Sequence, residues 1–126
     1  MPNNLAVTLD KTTTPWSVDI DERGKANEVS RSPNAQTITW QLTDNAATGT
    51  IVNFAWLTKP PPAPGIFGDF TKSSNAKQAT MSDLNTSLAT TGSWVYQFSI
   101  NVGGTVYSTI VALKIGTNTN PNIKNN

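Results

Sequence analysis

From Ser93 to Ile115 hydrophobic and polar positions alternate along the chain. Trp94, Tyr96, Phe98, Ile100 and Val102 alternate with Val95, Gln97, Ser99 and Asn101; Gly103-Gly104 follows, and Thr105 to Ile115 runs on. A period of two marks a strand with one buried face. A Gly-Gly pair suits a two-residue turn whose central residues take positive φ. The stretch is therefore predicted to be a long β-hairpin. The turn sets the register: Val102 opposite Thr105, Ile100 opposite Tyr107, Phe98 opposite Thr109, Tyr96 opposite Val111 and Trp94 opposite Leu113. One face is then aromatic and branched on both strands, and a slip of one residue would turn an apolar set to the polar side. A lone hairpin is marginal in water, so the rest of the chain must cover that face.

The same alternation recurs upstream. Leu5, Val7 and Leu9 predict a first strand, Trp16, Val18 and Ile20 a second, and Ile38, Trp40 and Leu42 a third. Glu28 to Arg31 and Thr80 to Leu84 read as short extended pieces. Ile51 to Leu57 is apolar on both sides, with Val52, Phe54 and Trp56 on one and Ile51, Ala55 and Leu57 on the other. Polar turns separate these runs at Lys11–Pro15, Asp21–Lys25, Ser32-Pro33-Asn34 and Asp44–Thr50. Between Thr58 and Ser74 lies Lys59-Pro60-Pro61-Pro62-Ala63-Pro64-Gly65. Proline lacks the ladder donor, so no central strand passes through the Pro60–Pro64 loop. Ile66, Phe67 and Phe70 are expected to tuck part of it onto the core.

No helical period of useful length, repeat or linker interrupts this pattern. About seven or eight short strands in a single domain, residues 1–126, predict an all-β, antiparallel, immunoglobulin-like β-sandwich. The spacing Gly92-x-Trp94-x-Tyr96 fits entry into a late strand of such a domain. Trp40 and Trp94 are expected in its core. Residues 116–126 read as a polar C-terminal tail that frays unless docked.

Asn120-Pro121-Asn122-Ile123-Lys124-Asn125 resembles the Asp-Pro-x-Ile-x-Asn ending of the small bacterial DP-EP family. Gln41-Leu42-Thr43-Asp44 and Gly65-Ile66-Phe67 resemble its mid-chain segments. Asn120 stands where the family carries an acidic residue, and no Glu-Pro follows. The resemblance implies an immunoglobulin-like sandwich with no established activity, and so no site residues to carry over.

Composition narrows the chemistry. The chain has 126 residues, room for one real core. Its net charge is +1, and its nine Lys and Arg are scattered, which gives no footprint for nucleic acid or an acidic membrane. Cys and His are both absent, which removes thiolate chemistry and the commonest general base and metal ligand. Met1-Pro2-Asn3-Asn4 shows no basic region followed by an apolar run, and no segment is long and apolar enough to span a bilayer. A cytoplasmic location is the default expectation. The chain is expected to be neither an enzyme nor a cofactor carrier.

Other constellations have simple readings. Asp19-x-Asp21-x-x-Gly24 begins like a calcium loop, but Arg23 stands where an oxygen ligand is required and Ser30 where a bidentate Glu is required. The acidic loop Asp19–Glu28 is expected to be a solvated turn, with calcium held between loops by Asp19, Asp21, Glu22 and Glu28 as the alternative. The eight carboxylates form no evident glycosidase-type pair. Pro61-x-x-Pro64 beside Lys59 matches a minimal polyproline ligand and reads more simply as a stiff surface loop. Asn85-Thr86-Ser87 is a glycosylation sequon without a readable secretory signal.

Surface contact remains. Trp16 and Trp56, with Tyr107, are the candidate ligand-binding aromatics if they point outward, as a platform on which a sugar ring could stack. The strands Ile51–Leu57 and Thr105–Ile115 carry little charge, so self-association through an edge or an apolar sheet face is expected. The sequence thus predicts a non-catalytic interaction or structural module that binds a protein partner or itself. The alternative is a carbohydrate-binding module using exposed aromatics.

Overall fold

The computed structural model describes residues 4–12, 16–21, 27–109 and 121–126. These residues form ten short strands: β1 (Asn4–Asp10), β2 (Ser17–Ile20), β3 (Asn27–Val29), β4 (Gln36–Leu42), β5 (Thr50–Trp56), β6 (Thr71–Lys72), β7 (Gln78–Asp83), β8 (Gly92–Val102), β9 (Thr105–Ser108) and β10 (Asn122–Asn125). Two single 3-10 turns, Asp44–Ala46 and Leu88–Thr90, are the helical pieces among the described residues. The strands make an all-β sandwich. One sheet has the order β2-β1-β4-β7-β6; the other has β3-β10-β8-β5, with β9 also on β8. Both sheets are mixed rather than wholly antiparallel, since β1 runs parallel to β4 and β10 parallel to β3.

Alternation puts one face of each sheet inside. β1 contributes Leu5, Val7 and Leu9, β4 Ile38, Trp40 and Leu42, β7 Ala79 and Met81, and β8 Tyr96, Phe98 and Ile100, all buried. Trp40 lies at the centre. Its ring meets Phe54 and Phe70 at 5.5 Å and Tyr96 and Phe98 at 5.8 Å between centroids. Such aromatic pairs contribute about 0.5–1.5 kcal/mol each beyond their buried area. Trp40 Nε1 donates to the Tyr96 hydroxyl at 3.0 Å, so the central contact between the layers is polar as well as apolar.

The hairpin forms at its tip in the expected register. Val102 pairs with Thr105 and Ile100 with Tyr107, and Gly103 and Gly104 take φ of 63° and 88°. The Thr109 N–H donates to the Phe98 carbonyl at 3.0 Å, which keeps the register one pair further. Val111 and Leu113 lie outside the described residues. The position opposite Trp94 belongs to Ile123, however, and the Tyr96 N–H donates to the Pro121 carbonyl at 3.1 Å. This end of β8 is therefore paired with β10. The chain ending has the pattern of a strand: Ile123 and Asn125 face in, while Lys124 is exposed. Residues 122–125 of the expected tail are thus docked, between β3 and β8.

Two side chains differ from their expected places. Trp94 is half-buried at one end of the sandwich, edge-on to Phe67 at 5.4 Å, rather than fully enclosed like Trp40. In β5 the register shifts between Ile51 and Asn53, so Ile51 and Phe54 both pair with inward residues of β8. Val52 is the extra residue of this bulge. It is 41% exposed and does not share a face with Phe54. The segment that follows the prolines tucks onto the core as expected. Ile66 is buried, Phe67 and Phe70 pack on the core, and Phe67 bridges to Asp83.

Candidate binding surfaces

The three aromatics expected to form a platform divide. Trp16 precedes β2 at the edge of the first sheet, and Tyr107 lies on β9 at the side of the second; these edges adjoin. Their rings stack with centroids 5.9 Å apart and planes 24° from parallel. Lys11 Nζ sits 4.7 Å from the indole centroid, within cation–π reach. Trp16 is 42% exposed, whereas Tyr107 is half-buried against the core. A ring and an ammonium already engage the indole π-system, so a sugar would have to displace the lysine to stack there. Trp56 is not part of this patch. It packs against Phe67 at 4.8 Å and Phe54 at 5.0 Å, inside the aromatic cluster that fills the core margin. The apolar area of a large ring favours this burial over an outward position.

A second surface lies on the outer face of the first sheet. Thr37, Thr39 and Gln41 alternate with the buried Ile38, Trp40 and Leu42 and therefore point outward. The cross-strand register aligns Asn4, Thr39, Thr80 and Thr71 in one row and Ala6, Gln41 and Gln78 in the next. A groove of about 430 Å³ is lined by Asn4, Leu5, Ala6, Thr39, Gln41, Thr43 and Gln78. Amides and hydroxyls offer both donors and acceptors, and none of these side chains is charged. The sequence shows the outward alternation on β4. The rows and the groove depend on the parallel β1–β4 pairing, which joins segments far apart in the chain.

The third surface is the edge of β5. Among the described residues β5 pairs with β8 alone. At its start the Ile51 N–H donates to the Ala76 carbonyl at 2.8 Å. Beyond that, Val52 and Asn53 are exposed, and no residue of Thr50–Trp56 is charged. The bulge at Val52 is a common way for an edge strand to limit pairing. β9 likewise pairs only with β8 among the described residues, and its Val106 is 57% exposed.

The remaining sequence motifs acquire definite surroundings. Residues 22–26 of the acidic loop, including Glu22, lie outside the described residues. Asp19 is half-buried within β2, and Glu28 is 3.9 Å from Lys124 Nζ. The sequon asparagine Asn85 is fully buried, and its Nδ2 donates to the Val29 carbonyl at 2.9 Å and the Asn126 carbonyl at 3.0 Å. That nitrogen cannot carry a glycan in this fold. Pro61 and Pro64 are exposed, and Pro62 is half-buried.

No helix among the described residues is long and apolar enough to cross a membrane. The chain matches no protein-family model and no curated protein.

Proposed function

We propose that this chain is a non-catalytic interaction module that associates with a second copy of itself through the edge of β5. The uncharged, partly exposed edge of β5 carries the reading. An unpaired edge offers a row of backbone donors and acceptors to another strand, and native proteins usually discourage this with charge or proline. β5 has neither, although its bulge restricts the pairing to one half of the strand. An antiparallel edge pair about a two-fold axis closes on itself. The sequence lacks both His and Cys, which also favours binding over bond-making. Light scattering on a size-exclusion column tests the reading. The wild type should populate a dimer as concentration rises, and Val52→Lys should shift it to monomer without loss of fold. A wild type that stays monomeric at the highest concentration would refute it.

A second reading, a carbohydrate-binding module, is supported by the uncharged groove across β1, β4 and β7 and by the exposed Trp16. Neutral amides and hydroxyls suit a polyhydroxylated ligand better than an ion. Shielding of Trp16 from iodide by a neutral oligosaccharide would support it, and unchanged quenching would remove it. The resemblance to the DP-EP family, the immunoglobulin-like topology it implies and a cytoplasmic location belong to this proposal. Two sheets packed face to face are what such a topology requires.

A further inference from the structure

The inner rows of β7 and β10 end in polar side chains. Ala79 and Met81 lead to Asp83 on β7, and Ile123 leads to Asn125 on β10. Asp83 is completely buried and Asn125 nearly so. The two strands belong to different sheets, so a bond between these side chains joins the layers. Asn125 Nδ2 donates to Asp83 Oδ1 at 2.9 Å and to the Thr90 carbonyl at 2.8 Å. The other oxygens of the pair, Asp83 Oδ2 and Asn125 Oδ1, are buried and accept no hydrogen bond from the described residues. Next to them Asn85 is well satisfied, since it also accepts from Thr90 Oγ1 at 3.0 Å.

One proton would serve both oxygens. A protonated carboxyl is a donor, and an amide presents its oxygen beside the nitrogen that already donates. We propose that Asp83 and Asn125 form a proton-dependent clasp between the sheets. In it the Asp83 Oδ2–H donates to Asn125 Oδ1 while Asp83 Oδ1 accepts from Asn125 Nδ2, and loss of the proton loosens β10.

The groups around Asp83 do not compete for this role. Gln36 of β4 is its register partner, Phe67 bridges to it, and β10 and the Leu88–Thr90 turn present Asn125 and the Thr90 carbonyl. None of these ionises. Among the described residues, the charged groups nearby in sequence or on the packed elements are exposed: Arg31, Asp69 and Lys72 face solvent, and Glu28 pairs with Lys124. Burial is the main influence on the carboxyl and raises it from 3.8 to about 6, against the opposing bond from Asn125. The folded chain then binds more protons than the unfolded chain between 3.8 and about 6. The contribution of Asp83 to stability is greatest below that window, falls as pH rises through it, and is fully lost above it. The fall corresponds to roughly a hundredfold in the folding constant.

The Asp83→Asn variant isolates the effect, because an amide pair can close the same ring without a titrating proton. Urea unfolding of wild type and Asp83→Asn, measured from pH 4 to pH 7.5, should show their ratio of folding constants falling by on the order of 100-fold. Division by the variant removes the contributions of the other carboxylates. Amide exchange in β10, corrected for its intrinsic pH dependence, should quicken over the same range in wild type and not in the variant. Carbon-13 titration of the Asp83 carboxyl in the wild type should give a midpoint near 6, and it decides the matter even if the variant does not fold. A midpoint near 3.8 would overturn the proposal. A midpoint near 6 with unchanged protection of β10 would also overturn it, since burial would then act without a clasp.

Discussion

At Trp40 an apolar ring and a polar N–H have to be buried together. The ring is held by four aromatic neighbours, and the N–H is satisfied by the Tyr96 hydroxyl at 3.0 Å. A buried donor left without a partner costs about 1–3 kcal/mol. Tyr96→Phe should therefore lower stability by about 1–3 kcal/mol in chemical denaturation while leaving the circular dichroism spectrum β-rich. No change in stability would mean that the Trp40 N–H finds another acceptor. The inward place of Trp40 follows from its alternation with Thr39 and Gln41. That of Val52 does not, because the bulge reverses the phase only where β5 meets β8. The pairing of Asp83 with Asn125 is equally hidden, since the two are brought together by strands of different sheets.

Among the elements, β8 has the greatest connectivity. Its eleven residues pair with β5 on one side and with β9 and β10 in succession on the other. A hairpin extended to Leu113 would have to displace β10 from this edge. β10 also carries β3, whose Asn27–Val29 segment pairs only with it among the described residues. Deletion of residues 121–126 should therefore do more than trim an end. It would remove Ile123 from the core, uncover Val29, and leave Asp83 buried without its donor. The truncated chain should lose cooperative thermal unfolding and bind a hydrophobic dye; a sharp transition at the wild-type temperature would contradict the assigned role of β10. The tail reads as polar because four residues with one apolar side chain are too few for a periodic signal. Docking is decided by the vacant side of β8, which local pattern does not show.

For the molecule as a whole, the tryptophans form a graded set of probes. Trp40 is enclosed, Trp56 and Trp94 are half-buried, and Trp16 is 42% exposed at the joined edges of the sheets. Iodide should quench a single accessible class of fluorescence most strongly, and Trp16→Phe should remove most of it. Substantial quenching that survives this substitution would place a second indole in solvent and contradict the packing of Trp56 and Trp94. The same measurement gives the baseline for a sugar titration. The association expected at β5 is independent of it, since that edge and the Trp16 patch lie on different strands. Both readings rest on surface contact. They differ in whether the backbone of an edge or the side chains of a neutral face provide it.

Local pattern was enough for the class of the fold, most strand positions, the turn at Gly103-Gly104 and the inward faces of β1, β4 and β8. These follow from local alternation and from turn residues whose backbone freedom is a property of the residue alone. The parallel pairings of β1 with β4 and β3 with β10, the place of β10 beside β8, the bulge in β5 and the uncharged groove are visible only in the folded chain. Each of these joins segments distant along the chain. Alternation says which way a side chain points from its own strand, but not which strand lies next to it. That choice comes from the packing of two sheets around Trp40, where every buried backbone and side-chain group competes for the same neighbours.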